Sequence, residues 1–121
     1  MKRLLLVLFV LGIALSGYAE LKPKEVVGKW KFEVDAGGEL ITGVFKFSEK
    51  EGKLVGQILA DDGTTLPFTK VEIKEGGKLH LETKTEYDTI NIDVKVEGDK
   101  MTGWASNSEG EAPITCKRVK E

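Results

Sequence analysis

His80 and Cys116 are the only histidine and the only cysteine in the 121 residues, so a Cys–His or Ser–His pair must use one or both of them. His80-Leu81-Glu82 has the H-x-E spacing of a zinc ligand beside an acid–base carboxylate. The P-C-x-x-C that completes such a site is missing, because Pro113-Ile114-Thr115-Cys116 has the wrong order and a single Cys. His80 and Glu82 alternate with Leu79 and Leu81, which predicts a polar pair on the wet face of a strand. Cys116 follows the same alternation and reads as a small buried hydrophobe; alone, it can form no intramolecular disulfide.

Carboxylates in Asp61-Asp62-Gly63 and Glu49-Lys50-Glu51-Gly52 fall on loops, where oxygen donors could hold calcium. Neither stretch has the alternating donors and terminal Glu of an EF-hand, and Asp-Gly is itself a strong turn former. Glu39, Glu72, Glu82 and Glu86 are scattered on expected outer faces, where charge keeps edges from pairing. The reading at this level is a non-enzymatic protein with no catalytic residue, no metal site and no cofactor. Function then has to come from the shape that the elements build.

Those elements alternate apolar and polar residues with period two from Gly28 onward. Turn clusters at Asp35-Ala36-Gly37-Gly38, Glu49-Lys50-Glu51-Gly52, Asp61-Asp62-Gly63, Glu75-Gly76-Gly77, Tyr87-Asp88-Thr89, Glu97-Gly98-Asp99 and Asn107-Ser108-Glu109-Gly110 divide the pattern into eight strands. The strands are predicted at 28–34, 39–48, 53–60, 66–74, 78–86, 90–97, 100–106 and 112–119. Connections this short permit only antiparallel neighbours, hence an all-β meander. Closing it removes two exposed edges, so an eight-stranded up-and-down barrel leads over a two-sheet sandwich.

The expected inner face carries Trp30, Phe32, Val34, Ile41, Phe45, Phe47, Leu54, Ile58, Ala60, Val71, Ile73, Leu79, Leu81, Ile90, Ile92, Val94, Val96, Met101, Ala105, Ile114 and Cys116. Thr83 and Thr85 continue the inner face of the fifth strand, which predicts a polar patch or a barrel mouth there. Trp104 points outward as a contact surface if Met101, Gly103 and Ala105 point in; a register shift at Gly103 would fold it against the core instead. Lys53-Leu54-Val55-Gly56 recurs as Lys100-Met101-Thr102-Gly103, and Leu66-Pro67-Phe68-Thr69 as Ala112-Pro113-Ile114-Thr115, which suggests a duplicated half-barrel. Gly56 and Gly103 would let a bulky neighbour cross the strand or let the sheet bend.

The N-terminus has another grammar. Lys2 and Arg3, an uncharged run over residues 4–15, and Gly17 and Ala19 form the three regions of a secretory signal peptide, with cleavage expected after Ala19. Twelve apolar residues are too few to span a bilayer, which takes roughly 20. Tyr18 stands where a lipoprotein would carry its lipid-bearing Cys, so no membrane anchor is expected after the cut. The expected layout is a signal segment at 1–19, an arm at 20–27 and one barrel at 28–121, exported as a soluble protein to the periplasm or beyond. Loss of Lys2 and Arg3 moves the formal net charge from −2 to −4, which argues against a nucleic-acid partner.

Gly28-Lys29-Trp30 at the start of the first strand, with Arg118 in the last, resembles the calycin superfamily of lipocalins, avidins and fatty-acid-binding proteins. The resemblance implies that Trp30 closes one end of the barrel under a covering Arg118 cation. It also implies a small apolar or amphipathic ligand in the interior, for which Phe32, Phe45, Phe47, Thr83 and Thr85 are the candidate contacts. Small exported barrels of this class include bacterial protease inhibitors, so the alternative is a module that binds an exported protein through a flexible arm at residues 20–25, with Trp104 as a second contact.

Overall fold

Each of the seven predicted turns is a strand connection in the computed structural model, which describes residues 21–120. The expected signal segment, Glu20 and Glu121 lie outside the described residues. A short helix α1 (Pro23–Val26) precedes β1 (Gly28–Ala36), β2 (Glu39–Lys50), β3 (Lys53–Ala60), β4 (Thr65–Lys74), β5 (Lys78–Lys84), β6 (Thr89–Glu97), β7 (Lys100–Asn107) and β8 (Gly110–Arg118). All neighbours are antiparallel, and β8 returns to pair with β1 through Trp30 opposite Arg118, Phe32 opposite Cys116 and Val34 opposite Ile114. That last pairing closes the barrel and excludes the two-sheet sandwich. No helix among the described residues is long and apolar enough to cross a membrane.

The inner face follows the alternation with one exception. Ile41 faces inward as expected and lines the cavity, but is 45% exposed because it sits where β2 begins, at the barrel's open end. The exception is β4, whose register against β5 shifts between Phe68 and Lys70. A one-residue bulge reverses the parity of a strand. Leu66 and Phe68 therefore share the interior with Val71 and Ile73, while Lys70 and Glu72 stay outside. Strict alternation could not have placed all four apolar side chains inward.

Phe68 then joins the ring cluster. It stacks on Phe47 with centroids 5.6 Å apart and meets Phe45 edge-on at 5.4 Å. Phe45 stacks in turn on Phe32 at 4.6 Å. Gly43 on β2 makes room for this arrangement, since a Cβ there would lie 2.8 Å from the Phe32 Cζ. Gly56 does the same for Phe47, as its position in the repeat predicted, with a Cβ falling 2.7 Å from that ring. Gly103 admits the backbone of β6 instead, and a Cβ there would meet the Val94 Cα at 2.8 Å.

The segment expected as a free arm is docked from Leu21 onward. Pro23 opens α1, where its missing N–H costs nothing, and the Glu25 carboxylate accepts from the Lys22 N–H at 3.1 Å. Val26 is fully buried and Leu21 nearly so; both belong to the core. The arm is thus a plug across one end of the barrel, tied down because two apolar side chains leave water there.

The plugged end holds the calycin-like signature. The Trp30 indole N–H donates to the Val26 carbonyl at 2.8 Å, and the Arg118 guanidinium lies 4.3 Å above the ring centroid. Arg118 also donates to the Asp99 carboxylate at 2.8 Å, to the Val27 carbonyl at 2.9 Å and to the Glu25 carbonyl. Gly28 has φ +128° and a Cβ there would stand 3.2 Å from the Arg118 Nη1, so glycine is needed both for the backbone and for the cation.

Candidate functional site

The opposite end is open. Its rim is made by the hairpins β1–β2, β3–β4, β5–β6 and β7–β8, and below it lies a cavity of about 440 Å³. That volume falls within the roughly 300–1,000 Å³ typical of small-molecule sites. The floor is the stacked pair Phe32 and Phe45. Val34, Ile58, Leu66, Ile90, Ile92 and Ile114 form the walls, and Ala36, Ala60, Ala105 and Ala112 line the upper strand ends. The alanines explain the space, for the larger side chains that fill the plugged half are replaced by methyl groups toward the mouth.

Polar groups enter the lining only at the rim, from Ser106, Asn107, Glu109 and Glu111 with the glycines Gly37 and Gly110. Among the described residues no buried side-chain nitrogen or oxygen lacks a hydrogen-bond partner. Below the rim the lining side chains are apolar, so the cavity offers an apolar molecule a matching surface.

The rim is braced by its own side chains. Asp88 accepts from the Ser108 hydroxyl at 2.7 Å and the Ser108 N–H at 3.1 Å, which ties the β5–β6 loop to the β7–β8 turn. These bonds, with another from the Thr89 N–H, hold the Asp88 carboxyl below the usual carboxylate range. Asp61 and the Thr42 hydroxyl link the β3–β4 turn to β2. Hydrogen bonds from Thr64 likewise keep Asp62 below the ordinary range.

The five expected ligand contacts divide. Phe32 and Phe45 line the cavity. Phe47 lies deeper, against Phe68 and under Gly56, outside the lining. Thr83 is fully buried, but its hydroxyl is spent on the Pro67 carbonyl at 2.9 Å, so its polarity serves the wall beside the β4 bulge. Thr85 lies beyond β5, which ends at Lys84, and its hydroxyl accepts from the Asp88 N–H at 3.0 Å to shape the β5–β6 loop. Alternation carries no information on where a strand stops, and Thr85 is the residue it misplaced. The alanines, Leu66 and the acidic rim were missed as site residues; the signal was alanine recurring at inward positions near alternate turns.

Elsewhere, the remaining reactive groups are engaged. Burial raises the Cys116 thiol to about 12, well away from the thiolate form. Trp104 points outward, 52% exposed, opposite Asp93 and Pro113. His80 stands on the outer wall between two carboxylates, Nδ1 2.6 Å from Asp93 across the sheet and Nε2 3.0 Å from Glu82 on its own strand. Among the described residues no group of three or more His, Cys, Asp or Glu side chains could hold a metal ion.

No family model matches this chain, and no curated protein does. Solved structures do. A redesigned β-barrel covers 84% of this chain and all of its own at 13% identity and a TM-score of 0.64. The redesigned barrel mFAP1, bound to DFHBI, covers 80% of this chain and 97% of its own at 15% identity and 0.60. A Schistosoma mansoni fatty-acid-binding protein in complex with arachidonic acid covers 83% of this chain and all of its own at 16% identity and 0.54. At such identities the likeness establishes architecture alone: the chain is a closed eight-stranded, antiparallel, up-and-down barrel with a calycin-like fold.

Proposed function

We propose that the chain is an exported, non-enzymatic carrier that holds one small apolar or amphipathic molecule in the open half of its barrel. The observation that carries this reading is the cavity of about 440 Å³ with an aromatic floor and no polar side chain below its rim. The similar barrels seen with arachidonic acid and with DFHBI support it, since the same architecture accommodates a small molecule in each. Export rests on the charge and hydropathy pattern of residues 1–19. A mature protein with an unmodified N-terminus at Glu20, seen by intact mass after secretion, is the expected product.

The test of the carrier reading is titration with a neutral solvatochromic dye such as Nile red. Wild type should saturate at one dye per barrel, with the blue shift of an apolar site. Ala60→Leu and Ala105→Leu, which fill the upper cavity, should abolish the shift while leaving the melting temperature unchanged or higher. Absence of saturable binding by the wild type, or equal binding by the filled variants, would refute the reading. The inhibitor alternative loses its motive, because the segment it needs free is the plug that buries Leu21 and Val26.

A further inference from the structure

We propose that the molecule held in this cavity is a cationic amphiphile, an apolar body ending in an amine, with the ammonium group seated at the mouth against Glu109 and Glu111. The proposal rests on the carrier reading and adds the charge of the ligand.

Three observations lead to it. First, among the described residues the lining contains no Lys, Arg or His. A carboxylate or phosphate drawn inside would lose its water and gain no cation, which is prohibitive for an isolated charge. The polar end of any ligand must therefore remain at the rim.

Second, the rim supplies acceptors of one sign. Glu109 and Glu111 are the charged residues of the lining. Asn107 offers no competing neutral acceptor, as its Oδ1 already receives the N–H groups of Glu109 at 2.9 Å and Gly110 at 3.1 Å. Carboxylates accept hydrogen bonds and cannot donate them when ionised, so an ammonium fits and a second carboxylate does not.

Third, the charge of the barrel is divided end from end. The four mouth hairpins, residues 35–39, 60–65, 84–89 and 107–111, carry eight carboxylates against Lys84 alone. At the plugged end, residues 22–25, 49–53, 74–78, 97–100 and 117–120 carry ten basic against six acidic side chains. Charges beyond about 8 Å are screened at physiological salt, so the mouth presents its own negative field undiluted by the far end. Such a field concentrates cations at the opening and repels anions. The hydrogen bonds that hold Asp62 and Asp88 below the usual carboxylate range keep part of this charge in place as the medium acidifies.

Three probes sharing one alkyl body separate the possibilities: dodecylammonium, dodecanol and dodecanoate, each below its micellar concentration, displacing bound Nile red. The cation should displace at about tenfold lower concentration than dodecanoate at low salt, with dodecanol between them, and added salt should narrow the gap. In a Glu109→Lys/Glu111→Lys double variant, checked for native melting behaviour, the preference for cation over anion should collapse or invert. Dodecanoate displacing as well as or better than the cation would overturn the proposal while leaving the carrier reading intact, and so would an unchanged preference in the double variant. If dodecanol displaces nothing and Nile red itself does not bind, the carrier reading fails and the proposal with it.

Discussion

Gly28, Trp30 and Arg118 act as one unit at the residue scale. The cation covers the indole and at the same time satisfies two carbonyls and one carboxylate near the plug. Arg118→Ala should cost about 2–3 kcal/mol in urea unfolding, from lost charge-assisted hydrogen bonds and ring contact. Arg118→Lys should recover less than half, because a single ammonium cannot span partners that a planar guanidinium reaches together. The His80 ring faces two acceptors, Asp93 and Glu82, so the doubly protonated form satisfies both nitrogens. Burial pulls the His80 value down, but the hydrogen bonds to Asp93 and Glu82 outweigh it and leave the value raised above 6.5. The resulting stability is fully present below the ordinary value and lost as pH rises through the raised one. Asp93→Asn should therefore lower the melting temperature more at about pH 5.5 than at about pH 8.5, as thermal melts at the two values would record.

At the scale of elements, the β4 bulge and three glycines decide which side chains meet. Gly103 is the strictest of them, since the atoms nearest its missing Cβ are backbone atoms of Asp93 and Val94 that cannot rotate away. Gly103→Ala should cost about 1–3 kcal/mol by overpacking, read from chemical unfolding. The repeated stretches hold equivalent places: Gly56 pairs with Phe47 on β2 and Gly103 with Val94 on β6, and Pro67 and Pro113 lie opposite Gln57 and Trp104. The halves differ in pairing. β7 and β8 pair along their length, whereas β3 and β4 pair only from 57–59 to 65–67. Beyond that short ladder, Leu54, Val55, Phe68, Val71 and Ile73 border a cleft, with Pro23 of α1 at its side. Hydrogen exchange should report this gap: amides of 53–56 and 68–73 directed into it should exchange faster than those of β7 and β8.

The whole molecule is a barrel filled at one end and hollow at the other. Phe47, Phe68, Met101, Leu79, Leu81 and Trp30 pack the plugged half, while alanines and the Phe32–Phe45 floor leave the mouth half open. The same axis separates charge, with carboxylates around the opening. Cavity and field coincide at one end, which makes cavity filling and charge reversal independent tests of uptake. The first removes space while leaving the rim charges in place; the second alters the sign of attraction while leaving the space in place.

Strand number, polarity and closure were legible in the sequence because period-two alternation and Gly/Asp turns are local properties of the chain. The Gly28–Trp30 and Arg118 pairing was legible for a different reason, as a short motif that resembles one of other small barrels, and the structure places its members in contact. Tertiary structure decided the rest. The parity change in β4, the docking of Leu21 and Val26, and the placement of Thr83 and Thr85 in wall and loop depend on partners from distant segments. So does the cavity, since empty space is set by what eight strands jointly leave unfilled, and no single strand encodes it. The acidic mouth follows the same logic: its eight carboxylates are spread from Asp35 to Glu111, and only the hairpin topology gathers them around one opening.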